Sequence, residues 1–164
     1  MPNSNQPSMP LSRPRLFNKL LLAIAAFGFL GFADSAYLTV DHYIALPLPC
    51  SLTQGCETVL TSPYSMVGPV PLAFFGVVFY LAVIFAALYL LTSSGVSKLH
   101  VQLLFALTGI GLLSSIAFES IQAFIIHAYC MYCAGSALCT LILFILGIAL
   151  LRSLRGTGSA AAEA

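Results

Sequence analysis

Four uninterrupted apolar runs, at about 16–44, 70–91, 99–126 and 131–151, leave this chain few ways to fold. Each meets or exceeds the ~20 apolar residues that carry a helix across a bilayer. Backbone in hydrocarbon must satisfy its own hydrogen bonds, so only helices or a closed barrel can span. Barrel strands alternate in polarity over short segments, and these runs do not. The expectation is an all-α integral membrane protein, a bundle of four transmembrane helices. Composition agrees, with 60% hydrophobic and 7% charged residues over 164 positions, far from the balance of a soluble domain. One bundle over 16–152 accounts for the length, with disordered tails expected at 1–15 and 153–164. The partner surface is the lipid bilayer, and no nucleic-acid partner is expected.

The six basic residues orient the bundle. They are Arg13, Arg15 and Lys19 before the first run, Lys98 between the second and third, and Arg152 and Arg155 after the fourth. Four crossings put all of them on one side, which the positive-inside rule makes the cytoplasm. Both termini are then cytoplasmic, and the loop 45–69 and the tight turn 127–131 face outward. A cleaved signal peptide is the competing reading of the first run, because "FADSA" resembles a cleavage site. The run continues through "YLTV", too long for an ordinary signal sequence.

Cys50, Cys56, Cys130 and Cys133 fall in or beside the two outward segments, whereas Cys139 lies inside the fourth run and reads as a small buried hydrophobe. Outward cysteines meet an oxidising compartment, where two structural disulfides are the simplest use of them. The pair in "CMYC" argues for chemistry instead. A Cys-x-x-Cys ring constrains an unfolded chain poorly but cycles readily between dithiol and disulfide. With Met131 opening the fourth helix, Cys130 sits at a helix N-terminus, where unpaired N–H groups and the dipole favour a thiolate. Cys133 lies about 4.5 Å deeper along the axis, positioned to meet something dissolved in the membrane. The pair in "PCSLTQGC" sits among Pro47, Pro49 and Gly55, in a loop read as a hinge rather than a long regular element. Thiol exchange needs direct approach of sulfur to sulfur, so a mobile pair feeding a fixed pair makes a relay. Zinc is the competing use of four cysteines, but C-x5-C exceeds the usual ligand spacing, and no metal site is expected.

The order of these pieces resembles the vitamin K epoxide reductase family in its bacterial form. The carriers are Cys50 and Cys56 followed by "ETVLTS", then "GPVPLAFFG" leading into the second helix, "AYLT" in the first and "CMYC" opening the fourth. The resemblance implies a four-helix bundle around a quinone, whether ubiquinone, menaquinone or phylloquinone. Cys130 and Cys133 become the active-site pair, and Cys50 and Cys56 the shuttle pair; of the latter, Cys56 precedes the bundle most closely in the chain and is the sulfur expected to meet Cys130, leaving Cys50 for the partner. A family Ser/Thr that hydrogen-bonds a quinone oxygen falls on Ser62, whose simpler role is a turn residue before Pro63. Phe75 is carried over as a wall of the quinone pocket, chosen from the run Phe74, Phe75, Phe79 and Tyr80. Many bacterial members carry a fused thioredoxin-like domain. Here the donor is expected to be separate, a DsbA-like or protein disulfide isomerase-like thioredoxin-fold protein. The implied location is a bacterial inner membrane facing the periplasm, or an endoplasmic reticulum membrane facing the lumen.

Asp34, Asp41 and Glu119 are costly in lipid and should face the bundle or its outer mouth. Glu119 and Gln122, on one helix face, suit either a proton path or an interhelical hydrogen bond. Asp41 and His42 are expected to be solvated, and Tyr64, Met66 and Val67 to form a short element capping the pocket. Two rivals share this reading. One is reduction of vitamin K epoxide or quinone at the same site. The other is a non-enzymatic four-helix scaffold with structural disulfides.

Overall fold

The computed structural model describes residues 15–44, 55–93 and 97–160. Cys50 lies outside them. The element order is α1 (Arg15–Ile44), α2 (Gly55–Leu60), a 3-10 turn at Pro63–Ser65, β1 (Met66–Val67), β2 (Val70–Pro71), α3 (Leu72–Thr92), α4 (Lys98–Ile121) and α5 (Met131–Ala160). A π-helical turn, Gln122–Ile126, extends α4. The four long helices are each long and apolar enough to cross a membrane. α3, at 21 residues, spans about 31 Å, close to one hydrocarbon thickness. Large apolar side chains such as Leu22, Phe29, Phe85, Leu113 and Phe124 are exposed, which suits a surface facing lipid.

The inward stripe of α1 is Phe17, Leu21, Ile24, Gly28, Gly31, Ser35, Leu38 and Asp41. Steps of three and four keep it on one helix face. α1 packs most extensively on α3 and also on α5, α4 packs on α5, and α3 and α4 meet less extensively. Glycine permits the tightest of these contacts. The ring of Tyr80 occupies the space a side chain at Gly31 would need, and Phe79 does the same at Gly111.

Three expectations change. The second apolar run does not turn helical at Val70, because Val70 and Pro71 pair antiparallel with Val67 and Met66 around Gly68, whose φ is 63°. Pro71 then stands at the N-cap of α3. α5 is helical through Ala160, past the end expected at 152, and its Leu151 and Leu154 pack on the bundle core. Asp41 is buried rather than solvated, since it continues the inward stripe one turn beyond Leu38, whereas His42 beside it is exposed.

Candidate functional site

The turn between α4 and α5 is built around one residue. The backbone carbonyl of Gln122 accepts from the N–H of His127 and, at 3.3 Å, of Ala128. His127 is left-handed (φ 55°, ψ 31°), the conformation that commonly closes a helix C-terminus. The chain is thereby reversed within a few residues. The Gln122 side chain is 3% exposed and its Oε1 accepts from the backbone N–H of Cys130 at 2.8 Å.

Cys130 is the N-cap of α5. Its carbonyl accepts the first helical bond, from Ala134 N–H at 3.0 Å. Its sulfur takes the place of a capping oxygen. Hydrogen bonding from the Cys133 thiol does most to hold the Cys130 thiol down at about 6. The backbone N–H groups of Cys133 and Tyr132 and the Cys56 side chain add to this, and burial opposes it. Low thiol pKa values are typical of Cys-x-x-Cys motifs at helix N-termini. A titration of thiolate ultraviolet absorbance, wild type minus Cys130→Ala, should therefore show a midpoint near pH 6 rather than the ordinary ~8.5. A midpoint above 8 would remove the electrostatic case for Cys130 as the exchanging sulfur.

α2 lies over this turn. Cys56, Val59 and Cys130 form a small buried cluster separate from the main core, lined by Ile126, Ala128 and Tyr132. The residue before Cys56 has to be Gly55. A Cβ there would stand 2.7 Å from the Tyr129 carbonyl oxygen and 2.9 Å from its nitrogen. The loop pair thus includes a short helix where only a hinge was expected. Cys56 and Cys130 are both essentially inaccessible, and the Cys130 thiol has both Cys56 and Cys133 as side-chain hydrogen-bond partners.

Cys133 packs against this cluster and also lines a cavity of about 440 Å³ bordered by residues of the four long helices, α2 and the hairpin. Such a volume falls within the range of small-molecule sites. Ser62 and Phe75 line it with Cys133, so the three residues expected to contact a quinone share one chamber. Phe74 is not on the lining, whereas Phe79, Tyr80 and Phe118 are. Flat aromatic walls, a sulfur and hydroxyl groups fit a quinone ring. Ser62 Oγ donates to the Val59 carbonyl at 2.7 Å, so its oxygen is placed to accept, and it becomes a donor to a ligand only by rotating. Thr61, its neighbour, donates to the Glu57 carbonyl and stays off the lining. Tyr64, Ser65 and Val67 are on the lining, whereas Met66, expected with Tyr64 and Val67 in a capping element, is not part of it.

The deeper lining is polar. Tyr80 Oη donates to the Ser136 carbonyl at 2.9 Å and lies 2.8 Å from Ser136 Oγ. Ser115 Oγ and Thr140 Oγ1 bridge α4 and α5 at 2.9 Å. Asp34 and Glu119 also line the chamber, and Asp34 Oδ2 is buried without a hydrogen-bond partner. Gln122 makes its bond to the following turn rather than to another helix, and no sequence signal marks that. Phe79 was readable in principle, since it stands four residues from Phe75 and shares its face. Cys139 is half-buried and packs on the main core.

No curated protein matches the chain. A profile of the Vitamin K epoxide reductase family matches residues 22–148, from within α1 to within α5. That span covers well over half of the chain and holds every site residue described above, so the chain belongs to the vitamin K epoxide reductase family of quinone-linked membrane oxidoreductases.

Proposed function

We propose that this protein is a thiol:quinone oxidoreductase that draws electrons from a separate thioredoxin-fold dithiol and so supports disulfide formation. One observation carries the reading. The Cys130 thiol is a hydrogen-bond partner of both Cys56, on α2 and packed against it, and Cys133, on the cavity lining. Electrons enter when the partner's dithiol reduces a Cys50–Cys56 disulfide and becomes a disulfide itself. The Cys56 thiolate then attacks the Cys130 sulfur of a Cys130–Cys133 disulfide, releasing Cys133 as the thiolate. Cys50 attacks Cys56 in turn, restoring the loop disulfide and releasing Cys130. The active pair now holds two electrons.

A quinone bound in the cavity supplies the acceptor, taking two electrons and two protons to become a quinol. Toward it, Cys133 presents its sulfur and Ser62 a rotatable hydroxyl, while Phe75 and Phe79 orient the flat ring. Asp34 and Glu119 are groups on the lining able to hand on protons, and Cys130 re-forms the disulfide with Cys133. The capping turn and hairpin keep bulk water from the reacting ring. By the basic-residue distribution, the two cysteine pairs face the periplasm or a lumen, with both termini in the cytoplasm.

The test is quinone reduction by the full chain in bilayers, given a reduced thioredoxin-fold donor and ubiquinone, menaquinone or phylloquinone in turn. Turnover with a quinone and formation of oxidised donor in equal amount is the expected result. Reduction of vitamin K epoxide alone would move the assignment to the epoxide branch. No turnover with any acceptor, with the cysteine pairs remaining oxidised, would favour the scaffold.

A further inference from the structure

The reactive sulfur owes its position to a turn, and the turn is held at three points by Gln122. Its backbone carbonyl receives His127 and Ala128, and its side-chain Oε1 receives the Cys130 N–H. The last bond fixes the amide's orientation, because a backbone N–H can only donate and must face the oxygen. A buried amide bonded in this way resists rotation, since breaking it strands a donor away from water. The Cys130 N–H is one that the helix itself cannot satisfy.

The consequence is geometric. Cys130 must sit at one height relative to the first turn of α5 for its sulfur to receive the N–H groups of Tyr132 and Cys133. In that position it also interacts with the side chains of both Cys56 and Cys133 and packs with Cys56 in one buried cluster. π-helical turns recur at functional sites, and here the π turn starts at Gln122 itself, which brings its side chain back beneath Cys130.

We propose that Gln122 is a positioning residue whose side chain holds Cys130 in register with the α5 N-terminus, so that its sulfur can exchange with both Cys56 and Cys133. The inference rests on the relay reading above, and its test includes a readout that does not require turnover. Gln122→Met keeps the length and removes the acceptor, whereas Gln122→Glu keeps an acceptor oxygen. With Gln122→Met, the Cys130 thiolate midpoint should rise by about one pH unit toward the ordinary thiol value. Its kcat should fall about tenfold or more with KM for the quinone little changed, since small misplacements of a reacting group are costly. Gln122→Glu should recover most of kcat. An unchanged midpoint in Gln122→Met overturns the proposal. So does a rise in KM with kcat and midpoint unchanged, which would make Gln122 a quinone contact. A lower melting temperature shared by both variants, with the midpoint unmoved, would reduce the residue to a structural role and also overturn it. If the wild type fails to reduce any quinone, the relay reading fails, and the midpoint comparison still decides the position of Cys130.

Discussion

Cys133→Ala should abolish quinone reduction, a loss of three orders of magnitude or more on the scale of removing a reacting nucleophile (roughly 10⁴–10⁶ in a well-dissected hydrolase). Of the described cysteines in the sulfur chain, it alone faces the cavity. Cys56→Ala should have a different signature. It removes the link to the protein donor and leaves Cys130 and Cys133 intact, so a small dithiol that reaches the active pair should still drive turnover. Donor-driven turnover should fall to background in both variants, and dithiol-driven turnover only in Cys133→Ala. The double variant Cys50→Ala/Cys133→Ala should trap the exchange step. Mild oxidation of its two facing thiols should yield a Cys56–Cys130 disulfide, found by peptide mass spectrometry under non-reducing conditions. Equal loss of both activities in Cys56→Ala would break the proposed order, because it would make Cys56 part of the quinone chemistry. Failure to trap the mixed disulfide would show that the packing of Cys56 on Cys130 is not an exchange geometry.

The bundle and the cysteines were legible because both rest on local signals. Long apolar runs can only be helices in lipid, and a Cys-x-x-Cys at a helix start carries its electrostatics in its own sequence. Gln122 was not legible, because its partner is a backbone N–H eight residues on, within reach only after a π turn and a left-handed His127. Asp41 was misread for a related reason. Its place near the end of an apolar run suggested solvent, while the spacing from Leu38 already placed it on the inward stripe. In the run Phe74 to Tyr80, side-chain chemistry does not separate cavity from lipid, although helical phase groups Phe75 with Phe79. That the rings of Tyr80 and Phe79 fill notches at Gly31 and Gly111 depends on which helices meet, and only the folded bundle supplies that. Gly55 stood out as a turn residue. Its reason is instead the backbone of Tyr129 pressed against it.

That contact gives the second large effect. A side chain at Gly55 meets backbone atoms of Tyr129 inside 3.0 Å, and backbone cannot swing aside as a flexible side chain would. Gly55→Ala must therefore lift the start of α2 from the turn, and Gly55→Val must lift it further. Cys56 is the next residue, so the gap opens between the Cys56 and Cys130 sulfurs. Exchange requires one sulfur to reach the other directly, and a misplacement of about 1 Å can cost 10²-fold. Donor-driven turnover should fall about tenfold in Gly55→Ala and about a hundredfold in Gly55→Val, while turnover driven by a small dithiol changes little. Gly135→Ala is the matched control, since a Cβ there meets nothing within 4 Å and the position is off the cavity lining. The decisive quantity is the ratio of the two activities in each variant. If Gly55→Val lowers both in proportion, the substitution has disturbed the bundle as a whole. If it lowers neither, α2 does not need to rest on the Cys130 turn for electrons to pass, and the relay loses its geometric basis.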